Sequence, residues 1–190
     1  QRLTRKLIPF AYLSPTLVLL AVLSLIPLVT VFYYSLMNNV IMEKNPVVVG
    51  IANYIDILTD KVFQQAFLNT MYFTVMSVIF HLILGLGFAL MLNSKLLGST
   101  SKAIFRVIYV LPWVFTAAVI AVLWRLLLNP NGVINYILIT LNLANGPIEW
   151  LSSKQLALNT VTFINIWSGY PFYMVSLLAG LQGIPSELYE

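Results

Sequence analysis

A cluster of polar and aromatic residues interrupts one of the apolar stretches of this sequence. In NIWSGYPFY, residues 165–173, four residues share one face of a helix by their spacing: Asn165, Ser168, Gly169 and Phe172. The Gly-Tyr-Pro inside this segment predicts a break in the helix. Transporters hold substrates at broken helices near the bilayer centre, and aromatic walls with a few hydrogen-bonding groups suit a neutral polar ligand. The segment is a candidate binding site, and its structural alternative is packing around a tolerated proline kink.

A second, shorter cluster of the same kind lies in LPWVFTAA. It contains Pro112, Trp113, Thr116 and Ala117. Two ionisable residues, His81 and Arg125, also lie inside apolar stretches. Placing an ionisable side chain in a membrane costs free energy, so these two residues are candidates for function. Because His81 has no second metal ligand nearby, we expect a neutral imidazole that is hydrogen-bonded to a neighbouring helix. We expect the long side chain of Arg125 to reach the lipid headgroups as an anchor.

The composition of the chain restricts its class. Of 190 residues, 60% are hydrophobic and 8% are charged, and the mean hydropathy is +0.91. In soluble domains about a quarter of all residues are charged, so this composition indicates an all-α polytopic membrane protein. The net charge of +4 marks the cytoplasmic side of a membrane, and we expect no nucleic-acid partner. The sequence has no cysteine and no acidic pair inside an apolar stretch, so it lacks the residues that acid–base or metal catalysis would need.

Four stretches are long and apolar enough to cross a bilayer. They cover about residues 7–36, 66–92, 103–128 and 156–181. Between them, IANYIDIL predicts a short interfacial helix, and NYILITLNL predicts an interfacial or re-entrant segment that is too short to span. Most basic residues fall on one side of this arrangement: Arg2, Arg5, Lys6, Lys95, Lys102 and Arg106. The positive-inside rule therefore places the N-terminus and the segment after the fourth stretch in the cytoplasm.

That last segment, GLQGIPSELYE, ends one helix and begins another. Pro185 cannot continue a helix, and Ser186 followed by Glu187 and Glu190 is typical of an N-cap with an acidic first turn. We therefore expect a short cytoplasmic surface helix to start where the sequence stops.

Together these segments resemble the permeases of binding-protein-dependent ABC sugar importers of the maltose and maltodextrin kind. The resemblance covers nearly the whole chain and is most specific in LPWVFTAAVIAVLWRLLLNPNGVIN and NIWSGYPFYMVSLLAGLQGIPSELYE. It implies the type I ABC importer transmembrane fold, as a single permease domain over residues 1–190. Four of about six expected helices would be present, with the start of the cytoplasmic coupling loop at 182–190. In the family the I-P-x-x-L-Y-E pattern continues with a pair of alanines and an acidic-glycine turn, and here Glu190 is the last residue, so we expect a C-terminally truncated sequence.

The resemblance also implies two sets of site residues. The substrate-binding set is Trp113, Ala117, Asn165, Ser168, Gly169 and Phe172, in which the two aromatic rings would stack on a sugar face and the Asn and Ser would bond hydroxyls. The ATPase-coupling set is Pro185, Glu187, Tyr189 and Glu190, of which the last glutamate would enter the ATPase cleft. The identity of the sugar stays open, because two of the binding positions fall where relatives vary.

By this resemblance the chain is a multi-pass subunit of a bacterial or archaeal cytoplasmic (inner) membrane that imports a sugar or oligosaccharide. Its partners would be a second homologous permease, an ATP-binding cassette ATPase dimer, an extracytoplasmic solute-binding protein and the lipid bilayer. Because GxxxxGK[ST] is absent from the sequence, ATP and Mg²⁺ would belong to the ATPase, and we expect no catalytic residue, metal site or cofactor in this chain. Two alternatives stay open: import of a phosphorylated polyol such as glycerol phosphate, and a non-transport membrane assembly protein.

Overall fold

The computed structural model describes residues 2–38 and 45–185, and this part of the chain is all-α as expected. Its helices are α1 (Arg2–Ser35), α2 (Ala52–Thr59), α3 (Lys61–Asn93), α4 (Ser99–Val114), α5 (Ala117–Leu127), α6 (Val133–Thr140) and α7 (Ala157–Gln182). The chain forms two compact units, Gln1–Ala66 and Phe67–Glu190.

In the first unit, polar side chains of α2 bind the end of α1. The Asn53 side-chain amide donates to the carbonyls of Ser35 and Met37, each at 2.9 Å. Carbonyls at the end of a helix lack intrahelical donors, and the Asn53 amide supplies donors in their place. The hydroxyls of Tyr54 and Ser35 lie 2.6 Å apart and add a second link. The short helix predicted from IANYIDIL is thus present and is attached at the end of α1.

In the second unit, α3 and α7 pack side by side and run in the same direction. Near their starts, the Tyr72 hydroxyl donates to Asn159 Oδ1 at 2.6 Å. Farther along both helices, His81 Nε2 lies 3.0 Å from the carbonyl oxygen of Asn165. The buried residues of α3 are Ser77, His81, Gly85, Ala89 and Leu92, of which the first four recur at every fourth position. This spacing is one face of a helix, and it carries the contact with α7.

Both α4 and α5 have side chains in contact with α7. The rings of Trp113 and Phe172 have centroids 6.0 Å apart, and those of Trp124 and Trp167 lie 5.4 Å apart. The partner position in α7 therefore falls as the position in α4 and α5 rises. Together α4, α5 and α6 connect the end of α3 to the start of α7.

The predicted third stretch, 103–128, is broken in the structure. The helices α4 and α5 meet at 95°, and the residues between them, Phe115 and Thr116, have extended backbone with ψ of 139° and 154°. The Thr116 hydroxyl accepts from the N–H of Val119 at 3.4 Å, so a side-chain cap begins the second helix.

The predicted break at Gly-Tyr-Pro in the fourth stretch is wrong, because α7 is continuous through Pro171. A proline removes one helical hydrogen bond, and neighbouring helices can compensate for that loss in a packed interior. Pro171 is fully buried, as is Met174 one turn later. The nearby Gly169 provides room for a side chain of α3 and does not bend the helix.

Length and hydropathy identify two helices in the described residues that could cross a membrane. They are Tyr12–Ser35 and Lys61–Asn93, each with a mean hydropathy of 2.4. A third is present if α4 and α5 count as one bent span. These three correspond to the first three predicted stretches, whereas α7 matches the fourth stretch in position but is not among the candidates.

The loop after α6 is organised by a fully buried side chain, Asn135. Its amide nitrogen donates to the carbonyls of Asn129 and Ile148 at 3.1 and 3.0 Å. Its amide oxygen accepts from the N–H of Ile148 at 3.0 Å and from the Trp150 indole at 3.3 Å. Every donor and acceptor of this amide is thereby used, which fixes the loop that leads into α7.

Candidate functional site

A cavity of about 450 Å³ lies between α5 and α7. It is lined by Phe73, Ala117, Ile120, Ala121, Trp124, Arg125, Leu151, Val161, Ile164, Asn165 and Ser168. Most of the wall is apolar, and the polar side chains are one guanidinium, one amide and one hydroxyl. A concave site with an apolar wall and a few polar groups is the usual form of a small-molecule site.

The wall contributed by α5 follows from where that helix begins. Because Thr116 caps the helix, Ala117 is its first residue, and positions 120, 121 and 124 share one face with it. Alanines at 117 and 121 leave space beside the helix that larger side chains would fill. The bend before α5 therefore sets which side chains of this helix reach the cavity.

On the α7 wall, the main-chain carbonyl of Asn165 accepts two hydrogen bonds. It accepts from the Ser168 hydroxyl at 3.1 Å and from His81 Nε2 at 3.0 Å. A carbonyl oxygen can only accept, so His81 carries a proton on Nε2. This contact confirms the expectation that His81 hydrogen-bonds to a neighbouring helix. Among the described residues nothing bonds to the Asn165 side-chain amide, and Asn165 lines the cavity.

The structure divides the six expected substrate-binding residues into three groups. Ala117, Asn165 and Ser168 line the cavity. Trp113 and Phe172 do not line it; their rings contact each other at an interplanar angle of 52°, with exposed fractions of 52% and 54%. The position of the sixth residue, Gly169, is against His81: a Cβ there would stand 2.5 Å from Nε2. The face predicted from spacing is therefore shared between a cavity wall and a helix contact.

Two residues that line the cavity were not predicted from the sequence as site residues. Trp124 packs edge-to-face on Trp167 and Phe163, with centroids 5.4 and 5.5 Å away. Arg125, expected only as a membrane anchor, lines the cavity from the last turn of α5. The helical spacing of seven between Ala117 and Trp124 was a signal that could have found the first of them.

The expected coupling residues lie at the end of the chain. Helix α7 ends at Gln182, and Pro185 follows outside any helix. Glu187, Tyr189 and Glu190 lie outside the described residues. Elsewhere, in residues 2–38 and 45–185, no group of three or more His, Asp or Glu side chains could hold a metal ion.

No family model matches the sequence. The chain is 33% identical over 182 residues to the trehalose/maltose transport system permease protein MalF of Thermococcus litoralis, covering 95% of this chain and 60% of that protein. It is 31% identical over 186 residues to the probable ABC transporter permease protein YurN of Bacillus subtilis, with 97% of this chain and 63% of the relative covered. The chain belongs to the ABC transporter permeases. This permease spans about 60% of the length of the curated relatives it matches.

A solved structure has the same fold as this permease. It is a bacterial ABC transporter involved in the import of the acidic polysaccharide alginate, with a TM-score of 0.79 and 22% identity. The match covers 100% of this permease and 64% of that chain. The all-α fold is therefore that of an ABC importer transmembrane chain.

Proposed function

We propose that this permease is a transmembrane subunit of an ATP-driven, binding-protein-dependent importer of a sugar or oligosaccharide. The observation that carries this proposal is the cavity between α5 and α7, in which Asn165 and Ser168 present an amide and a hydroxyl beside an apolar wall. Such groups suit the alternating polar edges and apolar faces of a sugar ring. Relatives named for trehalose/maltose and diacetylchitobiose transport support the same class of substrate.

We further propose that the described chain crosses the membrane four times as one permease domain. Helix α7 has 26 residues, so it is about 39 Å long and exceeds the ~30 Å of a bilayer core. It runs parallel to α3, which is itself apolar enough to span, and α4 and α5 return between them. The basic residues in the loops support a cytoplasmic N-terminus.

The expected partners follow from this assignment. A second permease would complete the pathway, a solute-binding protein would deliver the sugar from outside, and an ATPase dimer would bind ATP and Mg²⁺. The segment after α7, with Pro185, Glu187, Tyr189 and Glu190, would lie on the cytoplasmic side and contact the ATPase. One of the solved relatives is in complex with an alginate pentasaccharide-bound periplasmic protein, which supports the delivery step.

The test is ATPase activity of the whole transporter reconstituted in lipid, with binding proteins loaded with different sugars added one at a time. We expect one sugar to stimulate ATP hydrolysis and the variant Asn165→Leu to abolish the stimulation. The control is Thr162→Val, which removes a polar group from the same helix outside the cavity, where Thr162 bonds the Leu158 carbonyl at 2.7 Å. Equal stimulation of Asn165→Leu and the control would instead favour a membrane assembly protein whose helices only pack.

The coupling segment is tested separately. We expect Glu190→Ala to weaken ATPase association with the permease while leaving Asn165-dependent sugar binding unchanged. Co-purification of the ATPase with each variant measures this, and undiminished co-purification would contradict the assignment of this segment.

A further inference from the structure

The cavity has a cationic side chain that the proposed neutral sugar does not use. Arg125, in the last turn of α5, lines the same cavity as Asn165 and Ser168 of α7. The cavity therefore combines an exposed guanidinium with one amide and one hydroxyl.

The charge of Arg125 is not neutralised within the cavity. No carboxylate is among the side chains that line it. The nearest acidic candidate is Glu149, which lines an adjoining recess of about 260 Å³ together with Arg125. Its carboxylate accepts from the Ser152 hydroxyl. Among the described residues, neither an ion pair nor a hydrogen bond engages the guanidinium.

The apolar lining of the cavity strengthens any interaction with that charge. Ile120, Trp124 and Ile164 line the same cavity as Arg125 and offer water no hydrogen-bonding groups apart from the indole N–H. A guanidinium in such surroundings binds a carboxylate or phosphate through two parallel hydrogen bonds, which are stronger than those between neutral groups. An uncharged ligand would leave this cation without a counter-charge.

From this lining we infer that the cavity selects a saccharide bearing an oxyanion, with Arg125 binding the carboxylate or phosphate and Asn165 and Ser168 binding hydroxyls. The inference rests on the proposed function and names the substrate class of the same site.

The experiment measures ligand binding directly, so that a solute-binding protein does not impose its own selectivity. The whole transporter in detergent is titrated calorimetrically with three ligands of equal length: a neutral oligosaccharide, its uronic-acid counterpart and its terminal phosphate ester. We expect the acidic ligands to bind more tightly than the neutral one, with a preference that weakens as salt is added. Comparison of the two acidic ligands distinguishes a carboxylate substrate from a phosphate substrate.

Three variants separate the role of Arg125 from that of Asn165. Arg125→Gln is expected to raise the dissociation constant of the acidic ligands about 10-fold to 100-fold and to remove the preference. Arg125→Lys should restore part of it, because lysine keeps the charge and loses the planar fork. Asn165→Leu should weaken the binding of all three ligands. Lys154→Gln is the matched control, since it removes a cation that does not line the cavity.

The outcomes are distinct. Equal binding of neutral and acidic ligands by the unmodified transporter, or an unchanged preference in Arg125→Gln, overturns the inference and leaves the proposed sugar site standing. Failure of every saccharide to bind rejects the sugar site itself and the inference with it.

Discussion

Substitution of Gly169 by alanine tests the contact between α3 and α7 that supports the cavity. His81, which is 7% exposed, occupies the space where an alanine Cβ would stand. The Cβ would lie 2.5 Å from Nε2 and 2.7 Å from Cε1, whereas non-bonded heavy atoms pack at about 3.5–4.0 Å. Either the two helices separate by about 1 Å, or the imidazole rotates and loses its bond to the Asn165 carbonyl.

The expected cost follows from these two responses. Forcing an extra methyl group into a packed interior costs about 1–3 kcal/mol, and leaving a buried donor without its partner costs a similar amount. The higher helix propensity of alanine offsets up to ~1 kcal/mol. We therefore expect Gly169→Ala to lower the free energy of unfolding by up to ~3 kcal/mol.

The assay is reversible unfolding of the purified protein in mixed detergent and dodecyl sulfate micelles, followed by tryptophan fluorescence. Gly87→Ala is the matched control, because a Cβ at that position meets no atom within 4 Å and should stabilise the helix by about 0.5–1 kcal/mol. Replacing His81 by alanine in the Gly169→Ala background should recover part of the loss, since the space is then free. If Gly169→Ala is as stable as Gly87→Ala, the close contact between the helices does not exist.

Three further predictions use the same unfolding assay. Gly85→Ala should destabilise more than Gly169→Ala, because its Cβ would meet Tyr173 Cβ at 2.6 Å and backbone atoms cannot rotate away; a milder effect would contradict this. Asn135→Asp should cost about 2–4 kcal/mol, since two buried carbonyls lose their donors, and wild-type stability would refute the four-bond arrangement. Thr116→Val should cost up to ~1 kcal/mol by removing the cap of α5, whereas Thr116→Ser should be neutral; equal losses would exclude capping.

Much of the helix content was predictable because hydropathy is a local property. The first two predicted stretches correspond to α1 and α3, and the short segments IANYIDIL and NYILITLNL correspond to α2 and α6. Helical spacing alone also placed Asn165 and Ser168 on a common face. These features depend on residues within a few turns of one another.

The site was predicted less completely, because its geometry depends on contacts between distant parts of the chain. Arg125 was assigned to the headgroups, since its distance from the α7 residues cannot be read from α5 alone. Gly85 and Gly87 are only two positions apart in the same helix, yet only the first faces a neighbouring helix. Spacing defines which residues share a face and does not say what covers that face.

By itself, the sequence determined the class of protein, the approximate helices and the family resemblance, because composition, periodicity and motif spacing are properties of the chain alone. Only the tertiary structure decided where the bend lies. Both Pro112 and Pro171 sit inside continuous helices, and the break falls at Phe115 and Thr116. A proline removes one hydrogen bond locally, but whether the helix bends depends on how neighbouring helices pack around it.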